Sequence, residues 1–277
     1  MRSCWWLAAH NRSNTTKKPG WPRSCRREQK GESNHVLKVK DRLIVALDVD
    51  ELDDAERLME RMQGLVSVYK LGTQLLTAAG PEAVQRVRRR GYGVFYDAKF
   101  HDIPRTVGTA VAAACRQGAT IVNVHASGGK DMMVAAAQAA EDVSKKLKQP
   151  RVKVLAVTVL TSLNQKMVDE EIGLKLKLGE QVVHLAKLAQ EAGLDGVVAS
   201  PQEIKAIRTA CGPTFIILTP GIRPAGAALG DQKRTMTPGE AMAAGANYIV
   251  VGRPVVEAKD PAAVVREIHT EMEAALL

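Results

Sequence analysis

Apolar residues along this chain follow two rhythms, and the two alternate. Runs that are apolar at nearly every position cover residues 42–49, 66–72, 93–100, 120–126, 152–160, 196–200, 215–221 and 248–253. Such runs suit parallel strands buried on both faces, where neither side needs polar groups. Between them lie longer stretches with apolar residues three or four apart, the spacing of a helix with one face on a core. Start and stop residues frame these stretches. Pro81 opens one and Gly91 ends it. Pro104 opens another, with Val107, Val111 and Cys115 on one face and Gly118 behind. Asp260-Pro261 opens the last, with Val264, Ile268 and Met272 on its apolar face.

Strand–helix units of about thirty residues, repeated from residue 41 onward, predict an α/β fold, a closed (β/α)8 TIM barrel. It forms a single domain over residues 41–277. An open doubly wound sheet is the alternative. That fold favours a glycine-rich turn after its first strand, and Val49-Asp50-Glu51-Leu52 contains no glycine.

The net charge of +9 suggests nucleic-acid binding until it is located. Residues 1–40 hold ten Lys or Arg against two Glu, so the rest of the chain carries only +1. A basic binding face on the barrel is therefore not expected, and neither is a nucleic-acid partner. Residues 1–40 show no helical or strand period. They read as a basic, disordered extension, or as sequence ahead of the true start. A targeting or anionic-surface tail is the alternative, with Trp5, Trp6 and Trp21 able to stack on bases. The patch Cys4–Ala9 is short for a signal-peptide core. No apolar run reaches the ~18 residues of a membrane span. Cys4, Cys25, Cys115 and Cys211 form no C-x-x-C pair and have no His at zinc spacing. Cys115 and Cys211 fall late in apparent helices, where small buried thiols are expected, which fits a reducing cytoplasm.

A barrel collects its chemistry at the C-terminal ends of its strands. Polar residues do gather there: Asp48, Lys70, Asp97 with Lys99, Asn123 with His125, Thr158 and Thr161, Ser200, Arg223 and Arg253. The densest stretch is Asp97-Ala98-Lys99-Phe100-His101-Asp102-Ile103-Pro104. Asp97 and Lys99 are two apart on a strand and so face the same side. With Lys70 and Asp102 they make a set of two cations and two anions. Such a set is costly to desolvate without a purpose. It is suited to stabilising a carbanion and then protonating it.

Gly252-Arg253-Pro254 ends the eighth strand, where this fold usually binds phosphate. Glycine lets backbone N–H groups approach a ligand, and Arg grips phosphate bidentately. The long loop 222–236 is rich in small residues and carries Gln232, Lys233 and Arg234, so it reads as a lid. Asp48 suits sugar hydroxyls or the cap of the next helix. His101 and His125 make no convincing metal cluster, and central lysines oppose a divalent cation, so no metal is expected.

These stretches resemble the orotidine 5′-phosphate decarboxylase family, most of all its bacterial branch. The likeness covers about residues 41 to 273. It rests on Leu47-Asp48, Tyr69-Lys70, the run 97–104, the runs 122–129 and 157–162, Thr219-Pro220-Gly221-Ile222-Arg223, Gly230-Asp231-Gln232 and Gly252-Arg253-Pro254. The resemblance implies conversion of orotidine 5′-phosphate to UMP and carbon dioxide, the last step of UMP synthesis, with no metal or organic cofactor. Lys99 would protonate C6 of the pyrimidine, with Lys70, Asp97 and Asp102 completing the charged set. Asp48 would touch the ribose, and Thr161 would lie by the pyrimidine. Arg223, Gln232, Gly252 and Arg253 would hold the phosphate side. A homodimer is implied, with Asp102 and Thr106 reaching the neighbour's site and Ile103 joining the substrate contacts.

One departure lies inside the motif: Arg105 stands where Asn is common. Relatives on the same barrel, such as keto-gulonate-phosphate decarboxylase and hexulose-phosphate synthase, share Asp-x-Lys-x-x-Asp but use magnesium and an enediolate. Lys70 and Gly230-Asp231-Gln232 favour the nucleotide enzyme. A non-catalytic phosphate-binding barrel would have lost a member of the charged set, and none is missing.

Overall fold

The computed structural model describes residues 38–224 and 234–277. Eight parallel strands pair in chain order and close into a barrel, the last against the first. They are β1 (Leu43–Ala46), β2 (Val68–Gly72), β3 (Gly93–Phe100), β4 (Ile121–His125), β5 (Lys153–Val157), β6 (Gly196–Val198), β7 (Ile216–Thr219) and β8 (Tyr248–Val251). Helices α1 (Leu52–Arg61), α2 (Thr73–Ala79), α3 (Pro81–Arg89), α4 (Pro104–Gln117), α5 (Lys130–Leu147), α6 (Leu178–Glu191), α7 (Ile204–Cys211), α8 (Pro238–Ala243) and α9 (Pro261–Ala274) accompany them.

The closed (β/α)8 barrel is the architecture that the alternating rhythms predict. Most strands are shorter than their apolar runs. Leu47, Val159 and Ala199 lie beyond the last paired residues yet remain buried. Burial outlasts regular strand pairing at the barrel mouth, so hydrophobicity alone overestimates strand length.

Alternation along each strand sorts side chains into two cores. Ile44, Ala46, Phe95, Ile121, Leu155, Val157, Val198, Leu218, Tyr248 and Val250 fill the barrel. Their neighbours, among them Val45, Tyr69, Val94, Val122, Val154, Ile217 and Ile249, belong to the larger core shared with the helices. Both faces are apolar, which is why the strands lack a polar alternation. At Gly196 the barrel closes tightly: a Cβ there would lie 2.1 Å from the Ile216 carbonyl oxygen.

The framing residues act as their chemistry dictates. Pro104 starts α4, and Gly118 ends it in the left-handed region at φ 103°. Asp260 caps α9, its carboxylate accepting from the Ala263 N–H at 3.0 Å. The buried face of α9 is Val265, Ile268 and Met272, with Val264 at its edge. Steps of three and four track a 3.6-residue turn better than two steps of four, which corrects the position by one residue. Cys115 and Cys211 are buried free thiols, and burial pushes Cys115 up to about 11, leaving it unreactive. No described helix is long and apolar enough to cross a membrane.

Candidate active site

The inward-facing residues step from apolar to polar at the C-terminal mouth. Ala46, Phe95, Val157, Val198, Leu218 and Val250 floor a cavity of about 570 Å³. Two positions beyond Ala46, Phe95 and Val250 come Asp48, Asp97 and Gly252, which line the wall above. Lys70 stands in the same relation to Val68. The strand period of two thus carries the barrel directly into its site.

Four of these side chains form one chain of alternating charge. Lys70 Nζ lies 2.8 Å from Asp48 Oδ1 and 3.3 Å from Asp97 Oδ2. Lys99 Nζ lies 2.8 Å from Asp97 Oδ1. Asp97 is the most enclosed of the four, 7 % exposed. It also accepts a hydrogen bond from Asn123 Nδ2 at 2.6 Å. Gly72 makes the room: a Cβ there would sit 2.8 Å from Lys70 Nζ and 3.0 Å from Asp48 Oδ1.

Asp97 and Lys99 meet, though not through simple alternation. Tyr96 pairs with Val122 and Phe100 with Val124, so β3 spends four residues where β4 spends two. Within this bulge Lys99 adopts φ 51°, a left-handed conformation uncommon outside glycine. Its N–H donates to Asn123 Oδ1 at 2.8 Å. Asn123 is fully buried. The sequence places it in the ring of strand-end polar residues but gives it no role there. An amide two positions past Ile121 on the inward face was the available signal, because a buried amide needs partners.

Another part of the cavity wall is cationic. Arg223, Arg253 and the Gly252 backbone line the cavity together. Arg223 is only 9 % exposed and donates Nη1 to the Ile222 carbonyl at 3.1 Å. Its buried Nε finds no acceptor among the described residues. Burial first, then the neighbouring Arg253, lower the Arg223 pKa, while Glu257 partly restores it. Two guanidinium groups against a glycine backbone suit a phosphate.

Residues 41–268 match the family described as Orotidine 5′-phosphate decarboxylase / HUMPS family. The chain belongs to this family. An orotidine 5′-phosphate decarboxylase of Moorella thermoacetica is 52 % identical over 237 residues, spanning 86 % of this chain and 94 % of the relative. One from Trichlorobacter lovleyi is 50 % identical over 222 residues, 80 % and 91 % of the two chains. The crystal structure of the Lactobacillus acidophilus orotidine 5′-phosphate decarboxylase superposes with a TM-score of 0.75 at 35 % identity, covering 84 % of this chain and 99 % of that one.

Set against the family resemblance, Asp48, Lys70, Asp97, Lys99, Thr161, Arg223, Gly252 and Arg253 all line one cavity. Asp48 contacts Lys70 as well as facing the cavity, so it is a fourth member of the charge chain. Asp102 is not part of that chain. It is exposed, and its carboxylate accepts from the Ile103 N–H at 2.6 Å. Ile103, 66 % exposed, and exposed Thr106 also lie outside the cavity wall. Gln232 and Lys233 fall outside the described residues, as do Cys4, Cys25 and all but the last three residues of the 1–40 extension.

Three rim residues prove structural. Thr158 Oγ1 donates to the Val198 carbonyl at 3.2 Å. Ser200 is buried and caps the turn Pro201–Glu203. Arg234, read as a polar lid residue, is buried against Glu203 and donates to the Leu160 carbonyl at 3.2 Å. Beside it the loop is pinned at its base, where the Arg223 N–H donates to the Met236 carbonyl at 3.0 Å.

His101 and His125 lie with ring centroids 5.3 Å apart. Among the described residues no three His, Cys, Asp or Glu gather to hold a metal. Burial, then His101 and Lys99, lower the His125 pKa, with Asp97 opposing. Burial also lowers that of His269, with Glu273 opposing. Below the ordinary histidine value of about 6.5 the unfolded chain therefore takes up protons more readily than the folded one. Their contribution to stability is full above that pH and is lost as pH falls through it toward the lowered folded values. Urea midpoints at pH 7.5 and 5.5 check this. The fall at pH 5.5 is expected to shrink in a His125→Gln/His269→Gln variant, and an unchanged fall would count against it.

Proposed function

We propose that this protein is an orotidine 5′-phosphate decarboxylase, converting its substrate to UMP and carbon dioxide at the end of pyrimidine nucleotide synthesis. The observation that carries the reading is the charge chain Asp48–Lys70–Asp97–Lys99, which lines one cavity together with Arg223 and Arg253.

The substrate phosphate binds Arg223, Arg253 and the Gly252 backbone, with Gln232 added from the loop. The ribose meets Asp48 and Lys70, and the pyrimidine lies by Thr161 with C6 toward Lys99. The carbon–carbon bond to the carboxylate breaks and its electron pair stays on C6. The Lys99 ammonium gives C6 a proton, leaving a neutral amine that regains one from water. Nothing in the pyrimidine absorbs that pair easily, so preorganised charge must stabilise it. Binding energy from the remote phosphate is spent in forming this environment. Asp97, next to the departing carboxylate, favours its loss. No metal or organic cofactor takes part in these steps.

The working unit is a homodimer in which Asp102, Ile103 and Thr106 serve the neighbour's cavity. Their exposure beside the start of α4 and their absence from this protomer's cavity support that arrangement. The catalytic domain is assigned to residues 41–277, with residues 1–40 outside it. Two buried free thiols suit a reducing cytoplasm.

The test follows the ultraviolet absorbance of orotidine 5′-phosphate with purified protein in EDTA. Conversion to UMP is expected. No conversion, together with magnesium-dependent turnover of a sugar phosphate, would overturn the reading in favour of the enediolate enzymes on this barrel.

A further inference from the structure

We infer that Asn123 is the positioning residue for the reacting lysine: its one carboxamide fixes both the backbone of Lys99 and the carboxylate of Asp97. For its kinetic test the inference rests on the decarboxylase reading above.

The bulge in β3 takes the Lys99 N–H out of register with the β4 backbone. Asn123 Oδ1 accepts that N–H at 2.8 Å, standing in for the ladder carbonyl. Its Nδ2 donates at 2.6 Å to Asp97 Oδ1, the same oxygen that receives Lys99 Nζ at 2.8 Å. A single rigid group thus ties down both ends of the segment 97–99. Lysine does not favour a left-handed backbone, so a conformation at φ 51° needs support from outside the residue. Asn123 is fully buried, so solvent does not compete for these two hydrogen bonds.

The chemistry singles out asparagine. The site requires one acceptor and one donor on a short planar group. Aspartate supplies the acceptor, but its second oxygen would face the Asp97 carboxylate. Alanine supplies neither. Asn123 touches no reacting atom; it acts by aiming the groups that do.

Asn123→Ala and Asn123→Asp are compared with the wild type for kcat, KM and the affinity for UMP measured by calorimetry. Crystal structures of the variants report the Lys99 backbone. A misaimed lysine is expected to lower kcat about 10²-fold in each variant. KM and UMP affinity are expected to stay within about threefold, because the phosphate and ribose contacts are intact. Lys99 is expected to leave the left-handed region in Asn123→Ala, and to lose its contact with Asp97 in Asn123→Asp. Aspartate is nearly isosteric and keeps the acceptor, so it carries the comparison should alanine prevent folding. Near-normal kcat in the variants would overturn the inference. So would a Lys99 that keeps its positive φ and its contact with Asp97. A wild type inactive on orotidine 5′-phosphate would overturn the decarboxylase reading alone, and the Lys99 backbone in the variant crystals would then decide the inference.

Discussion

Replacing Lys99 by alanine is expected to lower kcat for orotidine 5′-phosphate by about 10⁴-fold or more. Two losses combine. A positioned general acid contributes about 10² to 10⁴ in rate, and a preorganised charge facing a developing anion about 10² to 10³. The two act as a unit, so their full product is not expected. Lys70 cannot substitute, because it is already held between Asp48 and Asp97. Lys99→Arg keeps the positive charge but offers a poor acid in a different shape, so it is expected to remain severely impaired. UMP affinity should change little in either variant, since the phosphate wall is untouched. Steady-state rates at high enzyme concentration, with UMP binding measured alongside, check both points. Turnover of Lys99→Ala within tenfold of wild type would mean that the proton reaches C6 from another group.

Glu203→Ala is expected to cost about 3–5 kcal/mol of folding stability, the usual result of stripping one partner from a buried ion pair. Glu203 and Arg234 are each 7 % exposed. Burial raises the Glu203 pKa, and Arg234 and Ser200 act to lower it again. Without Glu203, the guanidinium keeps the Leu160 carbonyl as its described partner and has little access to water. A double variant, Glu203→Leu/Arg234→Met, removes both charges and is expected to recover most of the loss. Denaturant midpoints of the two variants decide the matter. A single variant as stable as the double would show that the pair is not the source of the effect.

The barrel was legible because its strands are apolar on both faces and the helices between them carry their own start and stop residues. The site wall was legible for a related reason. Asp48, Lys70, Asp97 and Gly252 each sit one strand period beyond an inward apolar residue, so the polar step marks the mouth. The rest depends on contacts that no local pattern encodes. The Lys99–Asp97 contact was expected from alternation but arises in a bulge supported by Asn123, which lies on the neighbouring strand. Arg234 resembled a lid residue because its partner, Glu203, is thirty-one positions away in sequence. Asp102, Ile103 and Thr106 are given to a second subunit only by the proposed reading, and a single barrel contains no information about such a partner. Val264 packs at the edge of the buried face and Val265 at its centre, because four-residue steps drift around a helix.

The four linked side chains at the mouth carry two formal negative and two formal positive charges, so together they have no net charge. A neutral set of closely spaced charges produces a strong field within a few ångströms and almost none farther away. Under the proposed roles, an approaching phosphate ester would therefore sense Arg223 and Arg253 long before the charge chain. Ionic strength weakens attraction at long range and leaves an enclosed contact nearly untouched. In the proposed reaction, capture and chemistry would thus answer to different physical variables: salt to how often the substrate arrives, and the local arrangement of Asp48, Lys70, Asp97 and Lys99 to what happens once it is there.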